Sequence, residues 1–228
     1  MDKEIYVKIT KDGPYMVYGI PKIEQKIIVA DEHGASIKYG DGKTFEVKTE
    51  SVALCRCGGS KNAPFCDSTH LTNNFNGKET AGFEPILEGA ENFEGPNLTL
   101  ADNDNFCAYA RFCDVKGSIW NLVEKGTKEA DAQTVKEANL CPSGRLMIFD
   151  KEGKPIEHEL PQSIAALEDG GIGISGPLWI RGKIRVESED GQSYEIRNRQ
   201  TLCRCGASGR KPFCNGEHSS VEYKAHYQ

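Results

Sequence analysis

Two stretches of alternating apolar and polar residues, far apart in the chain, share one layout. In "IKYGDGKTFEVKTESVALCRCG" Phe45 and Val47 follow Asp41-Gly42, and in "IRVESEDGQSYEIRNRQTLCRCG" Tyr194 and Ile196 follow Asp190-Gly191. Period two places such residues on one face of a strand. Asp-Gly between alternating runs predicts a hairpin with a two-residue type I′ turn, because both central residues need positive φ. "KDGPYMVYG" and "EDGGIGISG" extend the correspondence upstream. The middle of the chain reads differently, with "TKEADAQTVKEANL" as a helix and "GRLMIFD" as the strand after it.

No run approaches the roughly 20 apolar residues of a membrane span. The start, "MDKEIYVKITKDG", lacks the apolar stretch of a secretory signal. The expected location is the cytoplasm, with no membrane partner. The 228 residues include 24 glycines and 10 prolines and are only 38% hydrophobic, which favours several small modules over one large core. A net charge of -6 without any block of basic residues argues against a nucleic-acid partner. Nine cysteines form an odd set, and a cytosolic chain keeps its thiols reduced, so metal ligation accounts for them better than disulfides.

Six of the nine lie in two matching loops, "CRCGGSKNAPFCDSTH" at 55–70 and "CRCGASGRKPFCNGEH" at 203–218. Both read C-x-C-x8-C-x3-H. The candidate ligands are Cys55, Cys57, Cys66 and His70, then Cys203, Cys205, Cys214 and His218. Cysteine and histidine four positions apart share one face of a helical turn, and Asp67 and Asn215 stand where a short polar side chain can cap it. A Cys3His zinc site is the first rival, but zinc loops usually open with a wider cysteine pair. Two thiolates one residue apart can instead share one iron of a two-iron cluster.

These loops resemble the CDGSH iron-sulfur domain of mitoNEET-type proteins, with Ser60, Pro64 and Phe65, and Ser208, Pro212 and Phe213, also fitting. The resemblance implies one 2Fe-2S cluster per loop, held by three cysteines and one histidine. Ser68 replaces the expected glycine in "CDSTH", and Asn215 replaces the acid in "CNGEH". Neither change removes a ligand.

The other three cysteines are Cys107, Cys113 and Cys141, the last followed by Pro142. A bacterial ferredoxin loop reads C-x2-C-x2-C with a remote Cys-Pro closing the cluster. Here Ala110 stands where the second cysteine belongs, so a 3Fe-4S cluster held by three cysteines is expected, or a 4Fe-4S cluster with a non-protein ligand at the open corner. The segment resembles single-cluster ferredoxins. Its rival is three buried, unligated thiols.

The expected fold is α+β: a β-rich CDGSH module at 1–85, a ferredoxin-like module at 86–159 and a second CDGSH module at 160–228. The outer two form a pseudo-twofold pair within a monomer. Three beads joined by linkers such as "KETAGFEPILEGAENFEGPN" are the alternative. Trp120 and Trp179 are expected in cores, Phe75 and Tyr223 beneath the loops, and Lys61, Lys211, His33, His158 and His226 on the surface. The expected function is electron transfer with a redox protein partner. Cluster transfer or redox sensing is the alternative, and catalysis at an open iron a third; no nucleophile, base and oxyanion set supports an enzyme.

Overall fold

The protein is described by a computed structural model covering residues 4–228. Alternation sets its first strands. Val7 and Ile9 in β1 (Tyr6–Ile9) and Tyr15 and Val17 in β2 (Tyr15–Tyr18) are buried, while the residues between them are partly exposed. β1 pairs antiparallel with β2, and farther along the chain β5 (Ser51–Leu54) joins the other side of β2. Between them run β3 (Lys22–Ala30) and β4 (Ser36–Phe45), a hairpin.

After the inserted segment the last third repeats the arrangement. β9 (Ser163–Asp169) pairs with β10 (Ile174–Arg181), and β12 (Arg199–Leu202) joins the other side of β10. The third strand of each unit is exchanged: β3 pairs in parallel with β9, and β11 (Arg185–Glu187) pairs in parallel with β1. The sheets therefore run β11-β1-β2-β5 and β12-β10-β9-β3-β4. Each outer unit completes the sheet of the other, and one chain forms the pseudo-twofold pair expected of its repeat. The main core is accordingly shared, with Val7, Tyr15 and Leu54 from the first unit packed among Ile164, Leu178 and Leu202 from the last.

The insert has a core of its own. β6 (Glu91–Glu94), β7 (Thr99–Asp102) and β8 (Leu146–Phe149) form a three-stranded antiparallel sheet. It is covered by α1 (Ile119–Val123) and α2 (Lys128–Leu140), through Leu100, Ile119, Val123, Ala138 and Ile148. Thr127 caps α2, its hydroxyl accepting from the Ala130 amide at 3.2 Å. Helix, Cys-Pro turn and strand follow in the order read from the sequence. Trp120 packs on this core and donates to Asp102 at 3.0 Å, and Trp179 is buried against β9.

Four expectations are corrected. Asp41-Gly42 is not a turn, because β4 runs straight through it; the chain reverses at Asp31–Ala35, where Asp31 accepts from the His33 and Ala35 amides, both at 2.9 Å. Gly42 answers a bulge instead, since a Cβ there would lie 2.6 Å from Gln25 Cβ. Asp190-Gly191 does form a turn, closed by Ser188 and Gln192, but only Gly191 has positive φ, so it is not type I′. Ile196 is exposed rather than buried beside Tyr194. Finally, "KETAGFEPILEGAENFEGPN" is no free linker: the Thr80 and Ala81 amides both donate to the Lys211 carbonyl, and Ile86 enters the main core.

Candidate metal centres

Each cysteine loop hangs from the last strand of its unit. In the first, the Cys55 amide donates to the Pro64 carbonyl at 2.8 Å and the Cys66 amide to Ala53 at 2.9 Å; in the second, Cys203 and Cys214 donate to Pro212 and Thr201 at the same distances. Ser60 and Ser208 close the two loops by donating to the Phe65 and Phe213 carbonyls at 2.6 and 2.7 Å. These bonds fold both loops alike and fix the sulfurs.

The donor atoms then come in pairs. Cys55 and Cys57 sulfurs lie 3.8 Å apart, and Cys203 and Cys205 sulfurs 3.6 Å. Cys66 Sγ lies 3.4 Å from His70 Nδ1, and Cys214 Sγ 3.4 Å from His218 Nδ1. Two sulfurs about 2.3 Å from one tetrahedral metal stand about 3.8 Å apart, and a sulfur and an imidazole nitrogen slightly less. Each pair therefore has the spread of two ligands to one metal. Among the described residues no group of three or more His, Cys, Asp or Glu closes on a single-ion position. Two pairs per loop fit a two-metal cluster better than one zinc ion.

Burial pushes the Cys66 and Cys214 thiols up, and backbone amides work against it. The Gly59, Ser68 and Gly216 amides each point at a ligand-pair sulfur, at 3.4 Å from Cys57, Cys66 and Cys214 respectively. Within each C-x-C pair the mutual S–H···S bond holds one thiol below its ordinary value and pushes the other up, so the pair shares a proton. Burial, with Arg204 second, lowers His218 to about 4, keeping it a neutral ligand.

Past Cys66 the chain enters a 3-10 turn (Thr69–Leu71), and past Cys214 the short helix α3 (Glu217–Ser220). Asp67 and Asn215 stand one residue before the cap and accept from the Thr69 and Glu217 amides at 3.0 and 3.3 Å. Asp67 also accepts from the Lys61 amide at 2.8 Å; that bond, the first cause, and the hydrogen bonding from Thr69 lower its carboxyl to about 2. The caps themselves, Ser68 and Gly216, are left-handed with φ of 71° and 89°. Ser68 thus adopts the conformation that suits glycine.

Sequence reasoning missed the arginine inside each C-R-C. Arg56 and Arg204 are among the largest fully buried side chains. Arg56 donates to the Thr10 and Gly77 carbonyls and lies over Tyr15 and Phe75. Arg204 donates to Gly176 and Leu167 carbonyls and to Glu168, over Tyr223 and Tyr227. Phe75 and Tyr223 do pack beneath the loops, and what they hold is these guanidinium groups. The repeated "CRC" carried the signal, since alternation turns the middle residue away from its flanking cysteines. Lys61 is exposed, whereas Lys211 folds back to donate to the Ser208 carbonyl at 2.8 Å.

In the insert, Cys107, Cys113 and Cys141 line one small cavity of about 20 Å³ together with Ala110, Pro142 and Arg145. Ala110 therefore faces the space where a fourth cysteine would stand. Burial pushes Cys113 up to about 12, with the Cys141 charge second. Burial works against the Arg145 charge, but Cys107, Asp102 and the other two cysteines outweigh it and raise its pKa. Arg145 and Arg111 are the cations lining this cavity, and both went unread in the sequence.

The three sites lie in sequence through space. Cys57 and Cys205 form an antiparallel bridge between the two loops. On the far side of the second loop, Gly216 lies against the Cys107 carbonyl and Tyr109.

Two family models match the chain: the iron-binding zinc finger of CDGSH type over residues 12–71 and 175–219, and a divergent 4Fe-4S mono-cluster model over residues 93–151. No curated protein and no solved structure matches it. Paired donors on two loops, a cavity lined by three further cysteines and the matched family models together define an iron-sulfur protein. The chain carries two regions of the CDGSH type, with a divergent single-cluster 4Fe-4S domain inserted between them. Among the described residues no helix is long and apolar enough to cross a membrane.

Proposed function

We propose that the protein is an electron carrier with three centres. Cys55, Cys57, Cys66 and His70 hold one 2Fe-2S cluster, Cys203, Cys205, Cys214 and His218 a second, and Cys107, Cys113 and Cys141 a 3Fe-4S cluster open at Ala110. The observation that carries this reading is the pairing of donors, sulfur with sulfur at 3.8 and 3.6 Å and sulfur with imidazole at 3.4 Å. Such clusters, when bound, take up and release single electrons.

The chain's own residues set how readily. Amides pointing at Cys57, Cys66 and Cys214, and the Arg145 cation beside the three central cysteines, stabilise negative charge, which favours the reduced state. A histidine ligand carries less negative charge than a thiolate and acts in the same direction. The reading includes a monomer in the cytoplasm with a redox protein partner, and neither nucleic acid nor membrane.

Partly exposed His70 favours a second reading, delivery of the cluster to another protein. A spectroelectrochemical titration separates the two. Reversible reduction with full iron retention is expected of the carrier. Transfer of iron and sulfide to an apo-ferredoxin on mixing, at the rate of turnover, would replace it with the donor.

A further inference from the structure

The two CDGSH loops are alike in fold but not in surroundings. His218 is 4% exposed, while His70 is only partly buried. Part of the surroundings of His218 is β10, against which α3 packs; the second loop also meets the insert. Gly216 is in contact with it, since a Cβ there would meet the Cys107 carbonyl at 3.2 Å and Tyr109 Cβ at 3.7 Å. Ser68, at the matching position of the first loop, is exposed, as is Asp67 before it.

The segment that makes this contact is held in place. Tyr109 and Arg111 both have positive φ, 51° and 60°, so the backbone curls over the loop. Arg111 then grips buried Asp169 at the end of β9 through two nitrogens, at 2.6 and 3.2 Å. Tyr109 is 44% exposed on its outer side and stacks beneath the Arg111 guanidinium. One ion pair therefore latches residues of the central site onto the end of β9, whose Asp169 lies close enough to act on His218 of the second loop.

We propose that Cys107–Arg111 is a cover that makes the C-terminal centre the internal link of a three-centre line. The N-terminal centre is then the CDGSH-type centre that a redox protein partner reaches. This rests on the ligand assignment above. Each transfer moves one electron between neighbours, oxidising one centre as the next is reduced, with no bond made or broken. The order is central site, C-terminal loop, N-terminal loop, through the Gly216–Cys107 contact and the Cys57–Cys205 bridge.

The test is site-resolved cluster loss from the loaded protein. A ferrous chelator is added with iodoacetamide, and alkylation of Cys55, Cys57 and Cys66 is followed by peptide mass spectrometry against that of Cys203, Cys205 and Cys214. The metal-free protein supplies the baseline rate for each cysteine, and electron paramagnetic resonance counts the clusters remaining. The N-terminal set is expected to react severalfold faster than the C-terminal set. In Arg111→Met and Asp169→Asn, either of which opens the latch, the C-terminal set accelerates towards the N-terminal rate, which stays unchanged. Equal baseline-corrected rates for both sets in the unsubstituted protein would overturn the cover. Alkylation of both sets at the baseline rate before chelator is added would instead overturn the ligand assignment.

Discussion

Gly58 lies against the backbone of Cys205: a Cβ at Gly58 would come within 2.4 Å of the Cys205 carbonyl oxygen. The contact is reciprocal, because a Cβ at Gly206 would come within 2.7 Å of the Cys57 carbonyl oxygen. Both glycines have positive φ, 76° and 82°. The two metal loops thus meet backbone to backbone on the pseudo-twofold axis, and glycine is needed there for conformation and space together.

Gly58→Ala and Gly206→Ala should each destabilise the protein by at least ~2 kcal/mol, from left-handed strain of ~1–2 kcal/mol plus the overlap with a carbonyl. Denaturant unfolding measures this. Similar losses are expected for the two variants, since the contacts are related by the pseudosymmetry.

Replacing Arg204 by Met removes the donor to the Leu167 and Gly176 carbonyls and leaves the Glu168 carboxylate without its cation, held only by the Ser175 and Tyr227 hydroxyls. The expected cost is about 3–5 kcal/mol, as for other buried charges losing a partner. Arg204→Lys should recover little of it, because an ammonium cannot reach the same acceptors as a planar fork. Thermal unfolding of the two variants side by side checks both statements.

Ser68 and Gly216 occupy matching left-handed caps. Ser68→Gly should stabilise by about 0.5–1 kcal/mol by relieving strain. Gly216→Ser should cost more than this gain, since its new Cβ also presses on the Cys107 carbonyl. Unfolding midpoints of the reciprocal pair measure the asymmetry.

Glu24 supplies a pH dependence remote from the metal loops. Its carboxylate is buried, which raises its pKa, but Lys22 at 2.6 Å and Arg181 outweigh burial and hold it below its ordinary value of 4.5. A depressed carboxylate binds fewer protons folded than unfolded, so its contribution is full above pH 4.5 and is lost as pH falls through the native value. Glu24→Gln should flatten the stability profile in that acid window and lower stability at neutral pH. A pH series of urea midpoints shows whether it does.

The meeting of Cys55 with Cys57 and of Cys66 with His70 was legible because they lie within one short segment, and the second copy repeats the offsets. The pseudo-twofold pair was legible from the repeat, but the exchange of β3 and β11 was not, since nothing local to "KIEQKIIVA" names Ser163–Asp169 as its partner. Asp41-Gly42 misled because a bulge opposite Gln25 demands glycine as strongly as a turn does, while the Asp31 side chain made the real reversal. Arg56, Arg204 and Arg145 escaped notice because their partners are mainly carbonyls, a carboxylate and cysteines brought in by the fold. Their "CRC" and "CPSGR" settings became informative only with burial in view.

The central claim is that this chain holds three iron-sulfur centres on its nine cysteines and two of its histidines. Anaerobic purification followed by iron and acid-labile sulfide analysis, read beside electron paramagnetic resonance, tests it most directly. The account predicts about seven irons per chain, with two reducible two-iron signals and one three-iron signal of the oxidised protein. Stoichiometric zinc in a colourless protein would contradict it.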